Sequence, residues 1–95
     1  MTSKSIAAIA EYLSMHFPSH SIEQRWDFDL RAQSFKVSLQ AESLLVKASK
    51  EFIADFDPAG VSSRLEHWEV AALLRANPHE TVLLKRNGPV LQARN

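Results

Sequence analysis

Residues 22–48 read IEQRWDFDLRAQSFKVSLQAESLLVKA, and their large apolar side chains recur mostly at every second position. This period is typical of strands with one apolar face and one polar face. Chain reversals near residues 32–33 and 41–42 give one register in which both hairpins collect their apolar side chains on the same face. A slip of one residue would turn that whole set toward solvent. The stretch therefore predicts a three-stranded antiparallel meander.

The predicted register also defines a predicted core. It places Phe28 opposite Val37 and Val37 opposite Val46. On the polar face, the same register brings Asp29 to Lys36. The side chains expected to be buried together come from the meander and from a later helix: Trp26, Phe28, Phe35, Val37, Leu39, Val46, Leu65 and Trp68.

A helix is predicted before the meander. Apolar residues from Ile6 to Phe17 fall at helical spacing. Thr2 or Ser3 can serve as the N-cap, and Pro18 follows the end of the run. The apolar side of this helix is expected to pack against the sheet.

The segment after the meander is less regular. Residues 49–58 fit either a short helix opened by Ser49 or an extension of the third strand. Ser63 and Glu66 have the spacing of a capping box, which predicts a second helix that ends before Pro78.

The last predicted element is a hairpin. Residues 81–85 and 90–93 are its strands, and the chain reverses around residues 87–88. The predicted pairing sets Leu84 opposite Leu91, which again collects apolar side chains on one face.

These elements predict an α+β fold of the order α-β-β-β-α-β-β. Runs of strands separated by helices are typical of a two-layer sandwich, with an antiparallel sheet and both helices on one of its faces. The 95 residues are expected to form a single domain, spanning residues 1–95.

Composition narrows the classes of function. Eleven basic residues balance eleven acidic ones, so no net charge attracts nucleic acid or anionic lipid. The chain has no cysteine, which excludes disulfides and thiolate chemistry. No apolar stretch is long enough for a membrane span. We therefore expect a small cytoplasmic protein that does not contact membranes.

Catalytic frameworks are absent from the sequence. Gly60 and Gly88 are the only glycines, so no glycine-rich phosphate loop or nucleophile elbow exists. The remaining enzyme hypothesis is a small metal-dependent or acid/base hydrolase with four candidate residues: Asp27, Asp29, His79 and Glu80. Two neighbouring aspartates are an incomplete ligand set, so neither a metal nor another cofactor is predicted.

A basic patch on the final hairpin gives a further alternative. Lys85, Arg86 and Arg94 could bring the hairpin to a nucleic-acid groove. Without net positive charge or an aromatic platform on that hairpin, nucleic-acid binding is disfavoured.

A non-catalytic module that binds a protein partner or a second copy of itself fits the sequence best. A sheet with open edges favours such contacts. Leu45 and Leu83 on the polar face suggest a homodimer. The predicted interaction surface consists of mixed charges and these two leucines: Arg25, Asp27, Asp29, Lys36, Leu45, Lys47 and Leu83.

Overall fold

The computed structural model describes residues 4–93, which form four helices and five strands. In chain order these are α1 Lys4–His16, β1 Ser21–Asp27, β2 Ala32–Leu39, β3 Glu42–Ser49, α2 Lys50–Asp55, α3 Pro58–His67, α4 Val70–Ala76, β4 Glu80–Lys85 and β5 Gly88–Ala93. The α+β class is confirmed. The predicted order holds roughly, with three helices where one was expected between the third and fourth strands.

The sheet is mixed, so the prediction of a wholly antiparallel sheet is wrong. Its strand order is β1-β2-β3-β4-β5. Neighbouring strands are antiparallel except β3 and β4, which run parallel from Leu45 opposite Thr81 to Ala48 opposite Leu84. Three helices separate these two strands, and such a crossover lets the chain re-enter the sheet in its original direction.

The first hairpin turns earlier than predicted. Its loop runs from Phe28 to Arg31, so β1 ends at Asp27. Ile22, instead of Phe28, lies opposite Val37. This shift of six residues keeps the same side chains of β2 on each face, because side chains alternate with period two.

The other two hairpins are shifted by two residues each. Val37 lies opposite Leu44 instead of Val46, and Leu91 lies opposite Val82 instead of Leu84. Gln40 takes a positive φ of 57° in the tight turn after β2. No glycine marks that turn in the sequence.

The core cluster contains side chains of the sheet and of all four helices. Of the predicted core residues, Phe35, Val37, Val46 and Leu65 are fully buried. Trp26 and Trp68 are half-buried. The prediction is wrong for the other two: Leu39 is 43% exposed and Phe28 is 83% exposed. The core cluster is completed by side chains of the helices, including Ile9, Leu13, Phe52, Val61, Val70 and Leu74.

Capping residues define the helices between β3 and β4. Ser49 caps α2 by accepting a hydrogen bond from the Phe52 N–H at 3.2 Å, so the helical alternative for this segment is correct. Asp57 caps α3, which begins at Pro58, five residues before the predicted start at Ser63. Glu69 has a φ of 51° and separates α3 from α4.

Side-chain hydrogen bonds tie α1 to the distant helical segment. The Ala71 N–H donates to the Tyr12 hydroxyl at 3.1 Å, and the Ser5 hydroxyl donates to the Phe56 carbonyl at 3.0 Å. Both links fix the position of α1. Its predicted N-caps, Thr2 and Ser3, lie outside the described residues.

Candidate functional site

Most of the predicted interaction surface lies in two cross-strand rows of one sheet face, which we call the polar face. One row contains Arg25, Ser34, Lys47 and Leu83, each opposite the next. The neighbouring row contains Glu23, Lys36, Leu45 and Thr81. These rows bring together five of the seven predicted residues. The other two, Asp27 and Asp29, lie at the end of β1 and in the loop after it.

Asp27 organises that loop. Its Oδ1 accepts hydrogen bonds from the backbone N–H groups of Asp29, at 3.0 Å, and Leu30, at 3.1 Å. Its Oδ2 forms a 3.0 Å salt bridge with the Lys47 ammonium. The Leu30 N–H and then Lys47 hold the pKa of the Asp27 carboxyl below its ordinary value. The carboxylate thus joins the loop to β3.

Phe28 projects from the loop that Asp27 organises. It borders a groove of about 430 Å³. The groove is lined by two apolar rings and several charged groups: Arg25, Trp26, Asp27, Phe28, Asp29, Ser34, Leu45 and Lys47. We call this region the Phe28 surface. Sequence analysis missed Phe28 as a surface residue, because its alternation with charged neighbours fits a buried strand position equally well.

Some predicted contacts on this face differ in the structure. Lys36 lies opposite Glu23 rather than Asp29. Leu83 is 8% exposed and Leu45 is half-buried. Leu83 therefore offers little area to a partner, and Phe28 has far more of its side chain accessible.

The candidate residues of the enzyme hypothesis do not share a groove. Asp27 and Asp29 line the Phe28 surface, whereas His79 lines a separate groove and Glu80 begins β4. Within residues 4–93, no three histidine, aspartate or glutamate side chains are grouped so that they could hold a metal ion. No observation therefore favours hydrolysis by this set.

The basic hairpin is partly neutralised. Arg86 forms an ion pair with Asp55 through its Nε, while Lys85 is exposed. Arg94 lies outside the described residues. This arrangement gives nucleic-acid binding no added support.

A second groove, of about 790 Å³, lies between the C-terminal ends of α1 and α4 and the β2–β3 turn. We call it the histidine–arginine groove. Its lining mixes nitrogen-bearing and apolar side chains: His16, Phe17, Pro18, Ser19, His20, Val37, Leu39, Ala41, Glu42, Ser43, Leu44, Arg75, Pro78 and His79. Sequence analysis missed it because Arg75 and the histidines are far apart in the chain.

No protein-family model, curated protein or solved structure matches the chain. Within residues 4–93, no helix has the length and apolar character needed to cross a membrane.

Proposed function

We propose that the chain is a small, non-catalytic protein-binding module and that the Phe28 surface is its binding surface. The observation that carries this proposal is the 83% exposure of Phe28 on a loop fixed by Asp27. An aromatic ring held out by a structured loop is a strong anchor for a partner, because little conformational entropy is lost when it binds.

The side chains around Phe28 indicate the kind of partner surface that would fit it. Trp26 adds a half-buried ring, while Arg25, Asp29 and Lys47 add both signs of charge. Such a surface suits a protein that receives the Phe28 ring in an apolar pocket and meets these charges at the rim. A second copy of the chain is one form that this partner can take.

The proposal places the helices on one face of the sheet and leaves the polar face open. In support, every sheet residue of the core cluster lies on the other face: Phe35, Val37, Val46, Ala48, Val82 and Leu84. Leu83 is buried but does not belong to this cluster.

The test compares Phe28→Ser with Met15→Ser. Met15 is 69% exposed on α1, so its variant is a matched loss of an exposed apolar side chain. The wild-type chain is immobilised and used to capture partners from native cell extract, and each purified partner is then titrated with all three chains. We expect Phe28→Ser to weaken binding about 30-fold or more, as loss of an anchor does, while Met15→Ser binds as the wild type does.

Sedimentation equilibrium separates the two kinds of partner. A wild-type dimer that Phe28→Ser converts to a monomer identifies the partner as a second copy. If all captured partners bind Phe28→Ser as tightly as wild type, the Phe28 surface is not the binding surface.

A further inference from the structure

The histidine–arginine groove is distinct from the Phe28 surface. Its volume of about 790 Å³ lies within the range of about 300–1,000 Å³ that is usual for small-molecule sites. Such sites combine apolar walls with a few polar groups that orient the ligand. The groove has both.

We propose that the histidine–arginine groove binds a small organic carboxylate with an apolar body. Arg75 pairs with the carboxylate, the neighbouring imidazoles donate further hydrogen bonds, and the apolar wall takes the body of the ligand.

Arg75 is held in place for this role. Its Nη2 donates to the His16 carbonyl at 2.7 Å, and its guanidinium carbon lies 4.7 Å from the centre of the Phe17 ring. Within residues 4–93, the His16 carbonyl is the one hydrogen-bond partner of the Arg75 guanidinium. A guanidinium has five N–H donors, so most remain for a bidentate pair with a carboxylate.

Three imidazoles line the same groove. The His20 ring lies 5.2 Å from the Phe17 ring, and the His16 ring lies 4.4 Å from that of Tyr12. His79 also lines the groove. Each imidazole can donate an N–H to an anion.

His20 adds an independent observation. Its Nδ1 is buried and has no hydrogen-bond partner within residues 4–93. Buried polar atoms normally have partners, so this nitrogen calls for an explanation. A carboxylate that enters beside Phe17 gives it one only if the His20 ring turns so that this nitrogen faces the groove.

The N–H donors of the groove, rather than its net charge, favour an anion. Arg75 is a permanent cation, and Glu42 is the one carboxylate among the groove's described lining residues. Metal binding has no comparable support, because no three ligating side chains of residues 4–93 come together.

The wall explains why the ligand has an apolar body. Phe17 and Val37 form its buried part, and Leu39 is 43% exposed at its rim. Leu44 is half-buried beside them. An inorganic anion would leave this surface unused, whereas a ring or short hydrocarbon chain would cover it.

The experiment titrates the full chain with 4-phenylbutyrate, its uncharged amide and inorganic phosphate, by calorimetry and by amide chemical shifts. We expect 4-phenylbutyrate to bind at least about tenfold more tightly than either of the other probes, because only it uses both halves of the groove. Shifts should centre on residues 16–20 and 75–79. Equal binding of the amide or of phosphate overturns the proposal, as does no binding of 4-phenylbutyrate at 10 mM, roughly the weakest affinity such a site would show.

Three variants test the role of charge in the groove. Arg75→Gln should weaken 4-phenylbutyrate binding about tenfold, and Arg75→Lys should restore part of it. Glu42→Gln, at the exposed start of β3, should strengthen binding by a factor of about two to five, since it removes a like charge. If Arg75→Gln fails to fold, Glu42→Gln decides: unchanged or weaker binding contradicts the proposal.

Discussion

The tripeptide Asp-Phe-Asp occurs twice, at residues 27–29 and 55–57, and its two copies have different surroundings. Phe28 is 83% exposed at a hairpin loop. Phe56 is half-buried, with the guanidinium carbon of Arg64 3.7 Å from its ring centre. The same tripeptide therefore has an exposed phenylalanine ring in one copy and a partly buried ring in the other.

The difference comes from which aspartate is the cap. In the first copy the leading residue, Asp27, accepts N–H groups from the loop that follows it. In the second copy the trailing residue, Asp57, accepts the Gly60 N–H at 2.7 Å, and Pro58 begins α3. A Cβ on Gly60 would lie 2.9 Å from the Asp57 oxygen, so glycine suits this close approach. The residues after each tripeptide, and not the tripeptide itself, decide the structure.

The largest expected effect separates the two phenylalanines. Phe56→Ala should lower the free energy of unfolding by about 2 kcal/mol, because it removes a half-buried ring that contacts Phe52 at 5.4 Å between ring centres. Phe28→Ala should change it by less than about 0.5 kcal/mol, since the ring is already in solvent. Urea unfolding measures both. If the two variants lower the free energy of unfolding equally, the two phenylalanines do not differ in their contribution to stability.

A smaller effect separates the trailing aspartates. Asp57→Ala should cost about 0.5–2 kcal/mol, because it removes the N-cap of α3. Asp29→Ala is the matched control: its exposed carboxylate makes no hydrogen bond or ion pair within residues 4–93, so its cost should stay below about 0.5 kcal/mol. Thermal unfolding of both variants at pH 7 provides the measurement. If Asp29→Ala lowers stability more than Asp57→Ala does, the trailing aspartate of the first copy has the structural role, and the comparison is wrong.

The smallest expected effect is the acid dependence of Asp27. Its pKa is lowered from 3.8 in the folded chain, so its charged contacts stabilise the fold above that pH and are lost as pH falls through the folded value. Asp27→Asn can still accept loop N–H groups but lacks the charge that attracts Lys47. The melting temperature of wild type should exceed that of Asp27→Asn at pH 7, and the gap should narrow below about pH 4. A gap that stays constant from pH 7 down to about pH 2, well below the ordinary pKa of the carboxyl, would show that the charge contributes nothing.

Sequence patterns predicted the faces of the sheet but not its registers. Val37 and Val46 are buried as predicted, yet they are not opposite each other. A shift by an even number of residues leaves every side chain on its face, so alternation alone cannot detect it. Turn residues usually fix the register, but Gln40 and Arg31 take positive φ here without the glycine or asparagine that would mark them.

For the candidate site, the sequence likewise predicted which side chains share a face of the sheet, but not where the strand ends or which distant segments meet. Arg25, Lys36 and Lys47 share the polar face because their parity was correct. Phe28 was assigned to the core because the strand pattern continues past Asp27, and only the capping hydrogen bonds of that carboxylate end it. Arg75 escaped notice because its neighbours in the groove come from distant segments of the chain.

The parallel pairing of β3 with β4 also affects how the chain reaches its fold. Strands β1 to β3 meet through short loops, which cost little entropy to close. The contact from Leu45–Thr81 to Ala48–Leu84 closes a much longer loop, which contains the whole crossover of residues 50–79. Non-local contacts of this kind slow folding. The β3–β4 pairing is therefore expected to form more slowly than the hairpins that join β1 to β3, because its closure loop is many times longer.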